Sequence, residues 1–209
     1  MNPGFPSFIF ICISLILLAS GWKLTLLGGI SDRAIAAVFG LWLVVGLLRI
    51  GHADAAVIDG AVAALLAVTV LGALGGRFPL HAVHLFSIGL FLGSVYYLFT
   101  RLGELNPFFW PHGSWAPAGL LVAVAAAMLV RNPKDQIAVL SLALLFGTVL
   151  YMRLHKQRTG ISLGGLRFQD QWWLALFTAR LLSLAGETTI VMARGASRTI
   201  MGKWKGTKK

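Results

Sequence analysis

Acidic side chains are scarce in this chain, with seven Asp and Glu against 18 Lys and Arg in 209 residues. Charge of either sign is missing from six stretches, 1–22, 34–48, 60–76, 78–100, 105–130 and 136–152. A soluble amphipathic helix shows charges every few positions on its outer face, so runs of this length exclude an ordinary water-soluble helical domain. The charged fraction of 12% is about half that of globular chains.

Cysteine is almost missing too. Cys12 stands alone, which excludes an internal disulfide, and within an apolar run it reads as a small hydrophobe in lipid. Neither HExxH nor a Cys pair is present and no catalytic, cofactor or nucleotide motif stands out, so neither metal nor cofactor is expected. No Lys or Arg precedes the apolar run from Phe5 to Leu18. Although Ala19-Ser20-Gly21 looks like a cleavage site, the basic start of a signal peptide is missing, and the run is expected to be a retained helix.

What is present is apolar sequence in lengths near the roughly 20 residues that cross about 30 Å of hydrocarbon. The expected fold class is all-α, a polytopic transmembrane helix bundle with six firm spans at about 5–22, 34–50, 55–75, 80–100, 115–130 and 136–152. A further helix over 172–193 completes a single membrane domain, 1–193, followed by a basic cytoplasmic tail, 194–209. That helix contains Arg180 and Glu187, and at 100° per residue Gln169, Arg180, Glu187, Arg194 and Arg198 share one face. It is either a seventh transmembrane helix with its polar stripe inward or an amphipathic helix in the membrane plane, with Trp172 and Trp173 at the headgroups.

Basic residues gather at segment ends and in the tail, as they do where cytoplasmic flanks meet anionic lipid, and this placement argues against nucleic acid as a partner. Six spans with both termini inside leave only Lys23, Arg33, Arg77, Arg131 and Lys134 outside. Seven spans with the N-terminus outside put Arg49, Arg101, Arg153, Lys156, Arg158 and Arg167 there. The first arrangement fits the positive-inside rule better and spares the insertion of Arg180, about 2.5–3.5 kcal/mol at a helix centre. Both place the C-terminus in the cytoplasm, in a plasma membrane whose anionic headgroups the tail would meet.

Helix starts carry their own chemistry. Ser31-Asp32, Asp54 and Asn106-Pro107 precede three segments, and Asn132-Pro133-Lys134-Asp135 supplies an N-cap, a proline at the first helical position and an acid in the first turn. Gly89 and Gly93, four apart, are a small-residue face that lets helices approach closely.

Five residues are candidates for intramembrane chemistry: Asp59, His81, His84, Arg180 and Glu187. Asp59 is placed one turn into the third span, where a carboxylate serves as a proton or cation relay or reaches headgroup water beside Asp54. His81 and His84 share a helix face and suit a shared proton or metal, although the ordinary reading is an interfacial polar pair. Arg180 and Glu187 are two turns apart, too far for direct pairing, and Asp59 is the natural partner for Arg180 if its helix spans. The aromatic and proline-rich run from Pro107 to Trp115 reads as an interfacial belt, or else as a lip for lipid or peptide.

The stretch from Tyr96 to Trp110, with Arg101, Glu104, Pro107 and Trp110, resembles the YphA-like membrane proteins of Firmicutes, as do the length and number of segments. The resemblance implies a Gram-positive plasma-membrane protein linked to envelope or spore biology. That family has no established activity, so no site residues transfer. Three functions are set against each other: a non-enzymatic scaffold or accessory subunit with a membrane-protein partner, a small-solute transporter or its substrate-binding subunit, and a membrane-embedded lipid-modifying enzyme. Convergence of Asp59, His84 and Arg180 would favour the last two, and dispersal the first.

Overall fold

The structure, a computed structural model, describes residues 2–22, 33, 35–36, 39–40, 49–50, 58–59, 79–105, 116–154 and 163–206. Among these are five helices, α1 (Phe5–Ala19), α2 (Pro79–Leu105), α3 (Ala116–Leu129), α4 (Pro133–Leu154) and α5 (Leu166–Gly206). The all-α expectation holds, apart from a two-residue antiparallel pairing of β1 (Arg49–Ile50) with β2 (Ile58–Asp59).

Local chemistry sets the helix ends. Gly21, at φ 87°, lets the backbone turn left-handed after Ser20. The Trp22 and Gly21 amides then bond back to the Leu17 and Leu18 carbonyls and close α1. Ala19-Ser20-Gly21 is thus a helix stop, and it ends α1 three residues short of the expected 22. The start of α4 follows the sequence: the helix begins at Pro133, the Asn132 side chain accepts from the Lys134 amide, and Asp135 occupies the first turn.

Among the described residues two helices, Leu80–Leu105 and Pro133–Leu154, are long and apolar enough to cross a membrane. They correspond to the expected spans 80–100 and 136–152. The expected 5–22 and 115–130 are shorter apolar helices, Phe5–Ala19 and Pro117–Leu129. The remaining two, 34–50 and 55–75, lie largely outside the described residues. Where the first of them is described, residues 35–36 and 39–40 are helical as expected, while at the facing ends the expectation is corrected: Arg49–Ile50 and Ile58–Asp59 are extended and paired. The β-branched Ile50 and Ile58, opposite each other in the register, suit that extended backbone.

Helix directions alternate. α2 and α4 run parallel, since His81 meets Asp135, Gly93 meets Ala143 and Phe146, and Glu104 meets Tyr151. α5 runs against α4, with Trp172 bonded to Ser141 and Arg180 to Gln136. α1 follows the direction of α5, with Ser7 on Asp170 and Phe10 stacked on Phe177. α3 does the same, with Gly119 beside Gln171 at one end and Val130 tied through Gln136 to Arg180 at the other.

The core lies between α2, α3, α4 and the first half of α5, around Leu92, Val122, Leu140, Leu144 and Trp172. Trp172 and Trp173 are buried in it and form an edge-on pair. The outer surface is apolar as well: Leu80, Val83, Phe86, Phe91, Leu98 and Leu102 form an exposed face on α2.

Candidate functional site

α5 brings most of the buried polar groups into the bundle. Asp170 is 1% exposed, and its two carboxylate oxygens accept the amides of Gly4 at 2.7 Å and Ser7 at 2.8 Å. The first turn of a helix leaves its amides without partners. At this end of α1, Phe5 donates to the Asn2 carbonyl, Pro6 has no N–H, and Asp170 takes the rest. A carboxylate from a distant helix therefore serves as the N-cap, beside the positive end of the α1 dipole. Gly4, at φ 93°, allows the approach, and a methyl group there would come within 3.1 Å of Leu166.

The second cluster joins α3, α4 and α5. Gln136, fully buried, donates through Nε2 to the Val130 carbonyl just past the end of α3, and its Oε1 accepts Arg180 Nη1 at 3.1 Å. Arg180 is only 6% exposed. Higher in the bundle, Trp172 Nε1 donates to Ser141 Oγ at 3.0 Å, and the Tyr96 hydroxyl donates to Gln171 Oε1 at 2.6 Å. At the C-terminal ends of α2 and α4, Glu104 accepts the Tyr151 hydroxyl and pairs with Arg101 at 2.9 Å.

Of the five sequence candidates, the side chains of His81, His84, Arg180 and Glu187 are described. His81 reaches Asp135 at 3.3 Å across the starts of α2 and α4, while His84 is exposed one turn further on. Asp59 lies in the ladder, where its Cα partner is Arg49, and Arg180 bonds to Gln136. Glu187 is exposed on α5 beyond the bundle. The shared face of Gln169, Arg180 and Glu187 splits because α5 leaves the bundle between the last two. Among the described residues no group of three His, Cys, Asp or Glu is placed to hold a metal.

Asp170 and Gln136 were not singled out in the sequence. Asp170 had a signal: it is one of only seven acids in the chain and stands two residues ahead of the apolar run Trp172 to Phe177. Gln136 had none beyond its place one residue after the first-turn acid. Chemically, the arrangement ties helices together: each of these polar groups meets a group on another helix or at a helix end. Compared with protein families, curated proteins and solved structures, the chain matches none of them, so the resemblance of the 96–110 stretch rests on its own residues.

Proposed function

We propose that the chain is a multi-pass protein of the plasma membrane, a bundle of seven helices rather than six, acting as a non-enzymatic scaffold or accessory subunit. The observation that carries the scaffold reading is the use of buried polar groups to tie one helix to another. Among the described residues, Asp170 holds the start of α1 and Gln136 links Arg180 to the end of α3.

The membrane setting is supported by the inverted distribution of polarity. Asp170, Arg180 and Gln136 are buried, while Phe8, Ile16, Leu80, Val83 and Met128 are among the most exposed apolar residues. Apolar surface on that scale is costly in water and neutral against hydrocarbon. Seven passes are supported by the alternation of directions. Two further passes through 34–48 and 60–76, joined at the ladder, would place α5 as the seventh, antiparallel to α4. The N-terminus would then face outside and the basic end of α5 the cytoplasm. Its contact with Gln136 offsets part of the cost of burying Arg180. The resemblance of Tyr96–Trp110 adds a Gram-positive, envelope- or spore-linked setting to the proposal.

Copurification from native membrane with crosslinking tests the scaffold reading, together with solute-flux assays in proteoliposomes. A membrane-protein partner in fixed ratio, with no flux, is expected. Flux through the purified chain that disappears in Arg180→Ala would overturn it in favour of transport.

A further inference from the structure

α2 turns one side to α4 and exposes the other. Leu85, Gly89, Leu92, Gly93 and Tyr96 are buried on the first side. On the opposite side Leu80, His84, Ser87, Phe91, Ser94 and Leu98 are all exposed. They recur at i, i+4, i+7, i+11, i+14 and i+18, the a and d spacing by which one helix seats against another along its length. The seam is notched. Ser87 and Ser94, whose hydroxyls donate to the Val83 and Leu90 carbonyls of their own helix, stand on either side of Phe91. Small side chains with their hydrogen bonds already made admit a close neighbour without leaving a polar group unmet.

The chain itself supplies a neighbour of the right form. The charge-free stretch 60–76, outside the described residues, is joined to the Pro79 start of α2 by Arg77-Phe78 alone. A helix–helix link this short makes the two helices antiparallel neighbours. Ten of the 17 residues in 60–76 are Gly, Ala or Thr, the composition of close helix contacts in membranes, and as a helix the stretch reaches about 25 Å. Counting back from the link sets Gly75 level with Leu80, Leu71 with His84, Val68 with Ser87, Ala64 with Phe91 and Ala61 with Ser94. Those five positions are themselves spaced by three and four, so they share one seam. They set small against large at Leu80 and Phe91, and large against small at Ser87. We propose that 60–76 crosses the membrane as a helix antiparallel to α2, seated on its Leu80–Ser94 face in this register. The proposal rests on the multi-pass reading and names the occupant of that face.

Two other occupants fit less well. A second copy of this chain would lie parallel to the first, since copies inserted in one membrane share an orientation. Equal layers would then meet, Phe91 against Phe91 and, further along the seam, Arg101 against Arg101, which matches neither size nor charge. Hydrocarbon tails cover any apolar surface and give no reason for the notches to follow a helix-packing spacing.

The test is disulfide trapping in native membranes, with the full chain carrying Cys12→Ala. The pairs Ala61→Cys with Ser94→Cys and Val68→Cys with Ser87→Cys should close on mild oxidation, and mass spectrometry should find the linked peptides in the monomer band. Crossed pairs, Ala61→Cys with Ser87→Cys and Val68→Cys with Ser94→Cys, lie about 10 Å out of register, beyond disulfide reach, and should stay reduced. Failure of both matched pairs to close, or equal closure of matched and crossed pairs, overturns the proposal. So does a covalent dimer formed by Ser87→Cys or Ser94→Cys alone, which would put a second copy on the face. Failure of the membrane reading shows separately, as release of the chain from membranes by alkaline carbonate before oxidation.

Discussion

Gly147→Ala is expected to destabilise the protein, against the ordinary preference of helices for alanine. Gly147 lies where α4 crosses α2, and a methyl group there would meet the Gly93 carbonyl oxygen at 2.7 Å and Tyr96 Cδ1 at 2.5 Å. Carbon and carbonyl oxygen normally approach to about 3.3 Å, so α2 would have to retreat by about 0.6 Å. A gap of that order already forfeits a quarter or more of the contact energy along the seam. The gain in helix propensity is about 1 kcal/mol. Overpacking a close backbone contact costs about 1–3 kcal/mol, and displacing Tyr96 threatens its bond to Gln171, about 1 kcal/mol more. The clash outweighs the propensity, for a net loss of about 1–3 kcal/mol, or about 2–4 °C in melting temperature for each kcal/mol in a chain this size. Gly93→Ala should behave alike, since its methyl would meet the Ala143 carbonyl at 2.8 Å. Gly89→Ala should be milder, because only the Leu142 side chain must move. Gly186→Ala is the control: nothing lies within 4 Å of its added methyl, so propensity alone acts and stability should hold or rise. Thermal melting in detergent, followed by size-exclusion chromatography, ranks the four. A Gly147→Ala protein that melts at or above the parent would refute the close parallel packing of α2 and α4.

Asp170→Asn keeps only one of the two acceptor oxygens that hold Gly4 and Ser7, and should cost about 1–3 kcal/mol; an unchanged melting temperature would sink its role as the cap of α1. Arg180→Ala should cost about 1–3 kcal/mol by leaving the buried Gln136 oxygen without this donor, where an interfacial helix would have shown almost none. A double-mutant cycle should find coupling of about 0.5 kcal/mol or more between Arg180 and Gln136, and its absence would contradict the packing of α5. A cysteine placed at Asn2 should react with an impermeant thiol reagent in whole cells while a fusion at Lys209 reports the cytoplasm. Protection of the Asn2 position would restore the six-span arrangement.

The parts of this fold that were legible in the sequence are those set by local chemistry. The start of α4 could be read from Asn132-Pro133-Lys134-Asp135, because a cap, a proline and an acid act within one turn. Gly89 and Gly93 were legible as a close-approach face, but not their partner: Gly147 and Ala143 are identified only once α2 and α4 are known to be parallel neighbours. The position of α5 was not legible. Its polar stripe suits a bundle interior and a membrane surface equally, and the burial of Arg180 depends on groups of other helices such as Gln136. Asp59 was misplaced because the apolar run after it has the composition of a helix, whereas strand pairing depends on the opposing segment at Arg49.

Asp170 and Arg180 show how charges are accommodated in so apolar an interior. A buried ion needs a compensating charge or a set of well-aimed dipoles. Asp170 is placed at the amides that open α1, where the aligned peptide dipoles leave a partial positive charge. Arg180 is linked through Gln136 to the Val130 carbonyl, at the partially negative end of α3. The amide of Gln136 takes from that carbonyl on one side and offers its own oxygen on the other, so the polarity of the helix end is passed along the chain of bonds. Asp170 thus meets a helix terminus of opposite sign directly, and Arg180 reaches one through Gln136. Because α1 and α3 both run parallel to α5, their N-termini lie at the level of Asp170 and the C-terminus of α3 at the level of Arg180. An acid early in α5 and a base ten residues later is the order that two parallel neighbours can satisfy, and exchanging the two residues would set each charge against a terminus of its own sign.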